Sequence, residues 1–207
     1  YSWAARLPRM QPRVHLIPAH EYRRERWRNG LGWTREIHAE GGDSWDWRLS
    51  IAEVEAPAAF SRFPGVDREL VLLEGEGLEL VFADGGRHAL QRPHQRLRFD
   101  GERAVEGLPQ GGRATCFNLM WRREVVEAQL WHRPMVGTMV VFTDPGSTWV
   151  LHLLTGRVVF NGDAAGLPPL AAGDTALLGA GQARTRHAFD GSGEALLVRI
   201  DPRRAAQ

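Results

Sequence analysis

The sequence predicts an all-β protein built from two small barrel- or sandwich-like lobes, and three observations carry this. First, 23 glycines and 12 prolines, about one residue in six, punctuate the whole chain. They separate short apolar stretches at intervals of ~8–12 residues, the spacing of sandwiches and barrels. Second, no long segment shows the 3.6-residue period of an amphipathic helix. Short helices fit only near 18–25 and 57–63. Third, residues 69–82 and 148–160 echo one another. Each reads as an apolar hairpin with a glycine turn, followed by a Gly-rich turn and a further strand.

Taken in order, strands are expected near 14–17, 33–39, 45–54, 69–74, 77–83, 96–99, 114–121, 125–131, 138–144, 148–155, 157–161, 174–178 and 194–200. Turns fall at Gly75-Glu76-Gly77, Asp84-Gly85-Gly86, Asp100-Gly101, Asn161-Gly162 and Asp190-Gly191, residues that accept positive φ or bond their own backbone. Residues 1–12 lack a strand pattern. Met10 is a candidate natural start, which makes Tyr1–Arg9 a leader. The expected division is an N-terminal lobe over 13–125 that carries the ligand pocket, a degenerate second lobe over 126–201, and a polar tail over 202–207.

Composition narrows the function. With 43% apolar and 25% charged residues, the chain matches ordinary globular proteins. A net charge of +1 argues against nucleic-acid or acidic-membrane partners, which call for a basic excess. No apolar run approaches the ~20 residues of a membrane span, and no signal-peptide pattern shows. The single cysteine, Cys116, excludes a disulfide framework and a Cys-rich zinc site. It lies in an apolar strand and reads as a buried, inert thiol. A reducing, cytoplasmic home fits. All 26 basic residues are arginine. Without lysine there is no Schiff base and no P-loop, so an anion must be held by arginine, backbone N–H or neutral donors. There is also no Gly-x-Ser-x-Gly elbow and no dinucleotide fingerprint. No cofactor is expected.

The segment Trp27-Arg28-Asn29-Gly30-Leu31-Gly32-Trp33-Thr34-Arg35-Glu36 resembles a signature of the HutD/Ves family. So do Trp47-Arg48-Leu49-Ser50-Ile51-Ala52, the run Phe60-Ser61-Arg62-Phe63-Pro64-Gly65 with Arg68 and Leu70, and the blocks Phe99-Asp100-Gly101 and Phe117-Asn118-Leu119-Met120. The match is ordered and covers about 13–123. The resemblance implies a bicupin, two packed cupin-like barrels or jelly-roll sandwiches in one chain, and an association with histidine utilisation. It implies no established reaction. It suggests a ligand such as a formylated or carboxylated amino acid.

A metal-dependent cupin needs two histidines and a glutamate on one strand pair and a third histidine later, all converging. Counting back from Gly75, Glu69 takes the glutamate position, but Phe63 and Gly65 stand where the histidines belong. In the second copy His152 lies too close to Gly156, and His187 falls about three residues late. The eight histidines are scattered, so no metal is expected.

Strand period decides which side chains meet. Trp47, Leu49 and Ile51 share one face; Arg48, Ser50 and Ala52 share the other. Asn118 and Met120 alternate with Phe117, Leu119 and Trp121. Thr34, Glu36 and His38 alternate with Trp33, Arg35 and Ile37. If the three polar faces line one lumen, Arg48 and Arg68 are placed to bind a carboxylate. Thr34, Glu36, Ser50, Ser61, Asn29 and Asn118 add polar groups. Trp27, Phe63 and Met120 form walls, and Gly30 lets backbone approach the ligand. The competing reading is polar-out alternation, with Arg48 paired to Glu36 or Glu69. Arg23, Arg24, Arg26 and Arg28, with Glu53, Glu55, Glu74 and Glu76, read as solvated charges.

Three functions follow. One is a metal-free binder of a small anionic metabolite, a sensor or buffer in histidine utilisation. Another is a metal-independent enzyme using Glu36 or His38 as general base. The third is a structural homodimer with Trp131, Met135, Met139 and Trp149 at its interface.

Overall fold

The computed structural model describes residues 13–203 and is all-β, with sixteen strands and three short 3-10 turns among them. In chain order the strands are β1 (Val14–Ile17), β2 (Arg23–Arg26), β3 (Gly32–Glu40), β4 (Trp47–Val54), β5 (Ala58–Ala59), β6 (Val66–Glu74), β7 (Gly77–Phe82) and β8 (Arg87–Leu90). They continue as β9 (Arg96–Asp100), β10 (Val105–Gln110), β11 (Ala114–Arg122), β12 (Val126–Thr143), β13 (Thr148–Phe160), β14 (Leu170–Ala171), β15 (Thr175–Leu178) and β16 (Thr185–Pro202). No helix among the described residues is long and apolar enough to cross a membrane. The expected leader over 1–12, and residues 204–207 of the tail, lie outside the described residues.

The strands divide between two cupin-like units whose sheets are open rather than closed barrels. One unit runs over 18–129 and resumes at Ile200. Its six-stranded sheet has the order β2-β3-β4-β11-β6-β9, and its four-stranded sheet the order β5-β10-β7-β8. Leu70, Leu72, Phe99 and Cys116 from the first sheet pack with Leu78, Leu80, Phe82 and Leu90 from the second. The other unit spans residues up to Ile17 and 130–199, with the order β1-β15-β13-β16-β12 and β14 on β13.

This partition differs from the expected 13–125 and 126–201. β1 pairs with β15, Val14 opposite Leu178 and Ile17 opposite Thr175, so it is a strand of the second unit. The Arg203 N–H bonds to the Val125 carbonyl at 2.8 Å, within the first unit. Pairings between distant segments leave no mark on local periodicity.

The internal echo survives as topology, not as two hairpins. β6 and β7 belong to different sheets, and Gly75 turns the chain between them at φ +108°. In the second unit the same point is Gly156, at φ +88°, inside the unbroken β13. The first half of β13 pairs with β15 and the second half with β14, just as β6 pairs with β9 and β7 with β8. A Cβ on Gly156 would lie 1.8 Å from the Ser192 carbonyl oxygen. Only glycine allows both this approach and this φ.

Other expectations need correction. The helix near 18–25 is a 3-10 turn over Ala19–Glu21 followed by β2, whose four side chains are all exposed at a sheet edge and so show no alternation. The helix near 57–63 gives way to β5. Strands β8, β10 and β14 add to those expected; β10 holds Gly107 and Pro109, which mask it. The segments near 125–131 and 138–144 are one strand, β12. Among the proposed interface residues, Met135 is buried, and Met139 and Trp149 pack on the second unit's core. Trp131 stacks on Trp149 at 5.7 Å. These are packing residues, and the exposed apolar groups of that strand are Val136, Val140 and Phe142.

Candidate functional site

Register builds the site. β4, β11 and β6 lie side by side, and directly opposed residues of antiparallel strands share a face. Arg48 stands opposite Met120, and Met120 opposite Arg68. Two residues along, Ser50 stands opposite Asn118, and Asn118 opposite Leu70. Thr34 of β3 stands opposite Ala52. Together these residues line a cavity of about 670 Å³ in the first unit, a size typical of ligand sites. Trp27 and Asn29 from the β2–β3 turn, and Phe60, Ser61 and Phe63 from the segment before β6, complete its wall. The reverse face carries Leu49, Ile51, Phe117 and Leu119, all buried.

Ten of the twelve residues singled out in the sequence line this cavity; Gly30 and Glu36 do not. Gly30 has φ +71° and closes the turn, with its N–H already committed to the Trp27 carbonyl at 2.9 Å. The close approach belongs instead to Gly32, where a Cβ would lie 2.9 Å from the Trp27 ring and 2.5 Å from the Glu53 carbonyl oxygen. Glu36 accepts a hydrogen bond from Arg48 Nε at 2.7 Å and lies 3.7 Å from Arg23. His38 leaves the face of Thr34 because a β-bulge shifts the register after Glu36. It stands opposite Leu49, with its ring 5.1 Å from that of Trp47. The proposed general bases are therefore both outside the cavity lining.

The electrostatic centre is Arg68. It is 5% exposed, and among the described residues no carboxylate pairs with it. Its Nη1 donates to the Ser61 carbonyl at 3.2 Å, while its Nε is buried without a partner. The rings of Phe60, Phe63 and Phe99 surround the guanidinium at 5.3–5.8 Å. Burial among these rings, and then the charge of Arg48, lower its pKa to about 10. Asn118, 6% exposed, has its Oδ1 buried with no partner, and its Nδ2 reaches Ser50 Oγ at 3.5 Å. Arg48, by contrast, is neutralised by Glu36. The fixed, unanswered positive charge thus belongs to Arg68. Arg48 meets Glu36, as the structural reading allowed, while Glu69 faces Arg96 at 3.5 Å.

The wall is braced from behind. Trp27 Nε1 donates to Thr34 Oγ1 at 2.9 Å, and its ring meets Phe60 edge-on at 5.9 Å. The Glu102 carboxylate takes two bonds from Arg123 at 2.7 Å and one from the Gly65 N–H at 2.6 Å. Arg62 Nε bonds the Glu102 carbonyl at 2.8 Å. These bonds anchor the segment bearing Phe63. The Arg123 fork, then the Gly65 N–H, hold the Glu102 carboxyl at about 2. Nothing in the sequence pattern marks this clamp. Phe60 and Phe99 do stand in the motif blocks, but their approach to Arg68 depends on the pairing of Arg68 with Phe99.

Two further readings divide. Glu53 is not a solvent charge: it is 6% exposed and is met by Arg24 at 3.2 Å and Arg113 at 3.5 Å. Cys116 is fully buried, and burial pushes its thiol up to about 12. A cavity walled by guanidinium groups, with no imidazole or thiol among its described lining residues, suits an anion and opposes a cation.

The chain is similar in sequence and fold to known proteins. An uncharacterised 21.2 kDa protein in the hutC 3' region of Pseudomonas putida is 37% identical over 120 residues, 56% of this chain and 63% of that relative. The chain thus matches less than two thirds of that relative's length. Protein Ves of Escherichia fergusonii is 32% identical over 168 residues, 65% of this chain and 86% of that relative. HutD from Pseudomonas fluorescens SBW25 (formate condition) superposes with a TM-score of 0.79 at 25% identity, covering 92% of this chain and 100% of that one. The HutD family model matches residues 19–197, strands β2 to β15 and most of β16, and the chain belongs to the HutD family.

Proposed function

We propose that the chain binds a small anionic metabolite, of carboxylate or formyl-amino-acid type, in the Arg68 cavity. The observation that carries this reading is a buried guanidinium with an unpartnered Nε and an unpartnered Asn118 Oδ1, on two residues that line the same cavity. A buried cation without a counter-ion is costly, and a carboxylate entering the cage supplies both the charge and the missing acceptor. Asn118 Oδ1 in turn asks the ligand for a donor. The binding role is favoured over catalysis because Glu36 and His38 lie outside the lining, which leaves Glu25 as the one carboxylate among the described lining residues.

The relative in the hutC 3' region supports a link to histidine utilisation, and with it a sensing or buffering role for an intermediate of that route. A thermal-shift screen with formate, glutamate, N-formylglutamate and urocanate tests it. At a concentration of 100 Kd, ligand raises stability by about 2.7 kcal/mol. No shift with any of the four at millimolar levels refutes the proposal.

A further inference from the structure

The second unit has a cavity of its own, about 700 Å³, that the first unit's site does not use. Every residue lining it belongs to that unit, from Arg13 and Val14 to the start of β16. Three features give it a chemistry. Arg13, Arg184 and Arg186 line it, against the single carboxylate of Asp163. Arg184 lies 3.7 Å from Asp144, whereas Arg186 has no ion pair among the described residues. An anion is therefore favoured over a cation.

The second feature is His187, which is buried and lines the same space. Its Nε2 lies 2.8 Å from the Gly179 carbonyl oxygen. A carbonyl only accepts, so Nε2 carries the proton there, and Nδ1 is left as an acceptor on a neutral ring. Burial, against the Gly179 hydrogen bond and with Arg13 adding to it, lowers the pKa of the ring and so favours its neutral form. Third, Phe160, Val14 and Leu167 give the cavity an apolar part, which suits a flat carbon skeleton rather than a bare inorganic ion.

We propose that this cavity is a second ligand site, which takes a small aromatic or heteroaromatic carboxylate bearing an N–H donor. The carboxylate meets Arg186, the ring lies against the apolar part, and the N–H is accepted by His187 Nδ1. The site stands independently of the Arg68 cavity.

The test uses the full chain carrying Arg68→Met, so that the first cavity is silent, titrated with imidazole-4-carboxylate and with benzoate. Calorimetry and the side-chain ¹⁵N resonances of histidine report binding. The expected result is saturable binding of imidazole-4-carboxylate, tighter than that of benzoate, with the His187 Nδ1 resonance moving. Arg186→Gln, an exposed change that leaves the fold intact, weakens both probes by about tenfold or more, the worth of a charge-assisted hydrogen bond. His187→Phe keeps a flat ring but removes the acceptor, together with the donor to the Gly179 carbonyl, so the preference for imidazole-4-carboxylate over benzoate disappears. No saturable binding in the Arg68→Met background, or binding undiminished by Arg186→Gln, overturns the proposal. Formate titrated into the native chain and into Arg68→Met reads the first cavity separately.

Discussion

Replacing Arg68 with methionine is expected to stabilise the ligand-free protein while removing its response to carboxylates. The magnitude follows from the cage. Burial, and then the charge of Arg48, lower the Arg68 pKa to about 10; at 1.36 kcal/mol per pKa unit, the two together disfavour the charged form by about 3 kcal/mol. Methionine has similar length and no charge. Its sulfur keeps favourable contact with the rings of Phe60, Phe63 and Phe99, which replaces most of the cation–π attraction. The Ser61 carbonyl loses its donor, at a cost of about 1 kcal/mol. The net gain is about 1–2 kcal/mol, in line with other replacements of buried charge by apolar groups. For a chain of this length it raises Tm by about 2–8 °C. Calorimetric melts of both proteins, without ligand and with saturating formate, measure it. The native protein gains stability on adding formate and Arg68→Met does not. A variant that melts below the native protein and still responds to formate refutes the reasoning.

Three further outcomes are expected. The Glu102–Arg123 clamp stabilises through a carboxyl whose folded-state pKa, about 2, lies below that of an ordinary, unfolded-chain glutamate. Its contribution is therefore full above that unfolded value and is lost as pH falls toward the folded one; urea midpoints of native and Glu102→Gln protein should differ at neutral pH and converge at strongly acid pH. Gly156→Ala places a Cβ 1.8 Å from the Ser192 carbonyl oxygen at φ +88°, so it should destabilise by more than about 2 kcal/mol, read as a lower urea midpoint. Trp27→Phe leaves Thr34 Oγ1 without its donor and loosens the wall, so it should weaken carboxylate binding by about tenfold in a calorimetric titration with little change in Tm.

Much of the site was legible because strand period is local. Residues 47–52 and 117–121 assign Arg48, Ser50, Asn118 and Met120 to one side from their order alone, and their pairing then collects them in one cavity. Period fails where the backbone breaks it. The bulge after Glu36 turns His38 to the other face, and no residue there announces the bulge. It fails also where elements pair at a distance. β1 lies on β15, more than 150 residues along the chain, and its own four residues are compatible with either unit. The exposed arginines of β2 carry no alternation, so an edge strand passes for a helix turn. The repeat was visible as two glycine-centred segments, but only the structure distinguishes a strand bent between layers from a hairpin. The charge state of the site was the least legible part. Which of two arginines keeps an unanswered charge depends on the side chains around each. Glu36 reaches Arg48, and three rings enclose Arg68.

The most direct measurement is a high-resolution crystal structure of the chain grown with millimolar N-formylglutamate or formate. A carboxylate oxygen should lie within hydrogen-bond distance of Arg68 Nε, with a ligand donor or bridging water on Asn118 Oδ1. A saturating ligand found elsewhere, with the phenylalanine cage closed around a dry Arg68, contradicts it.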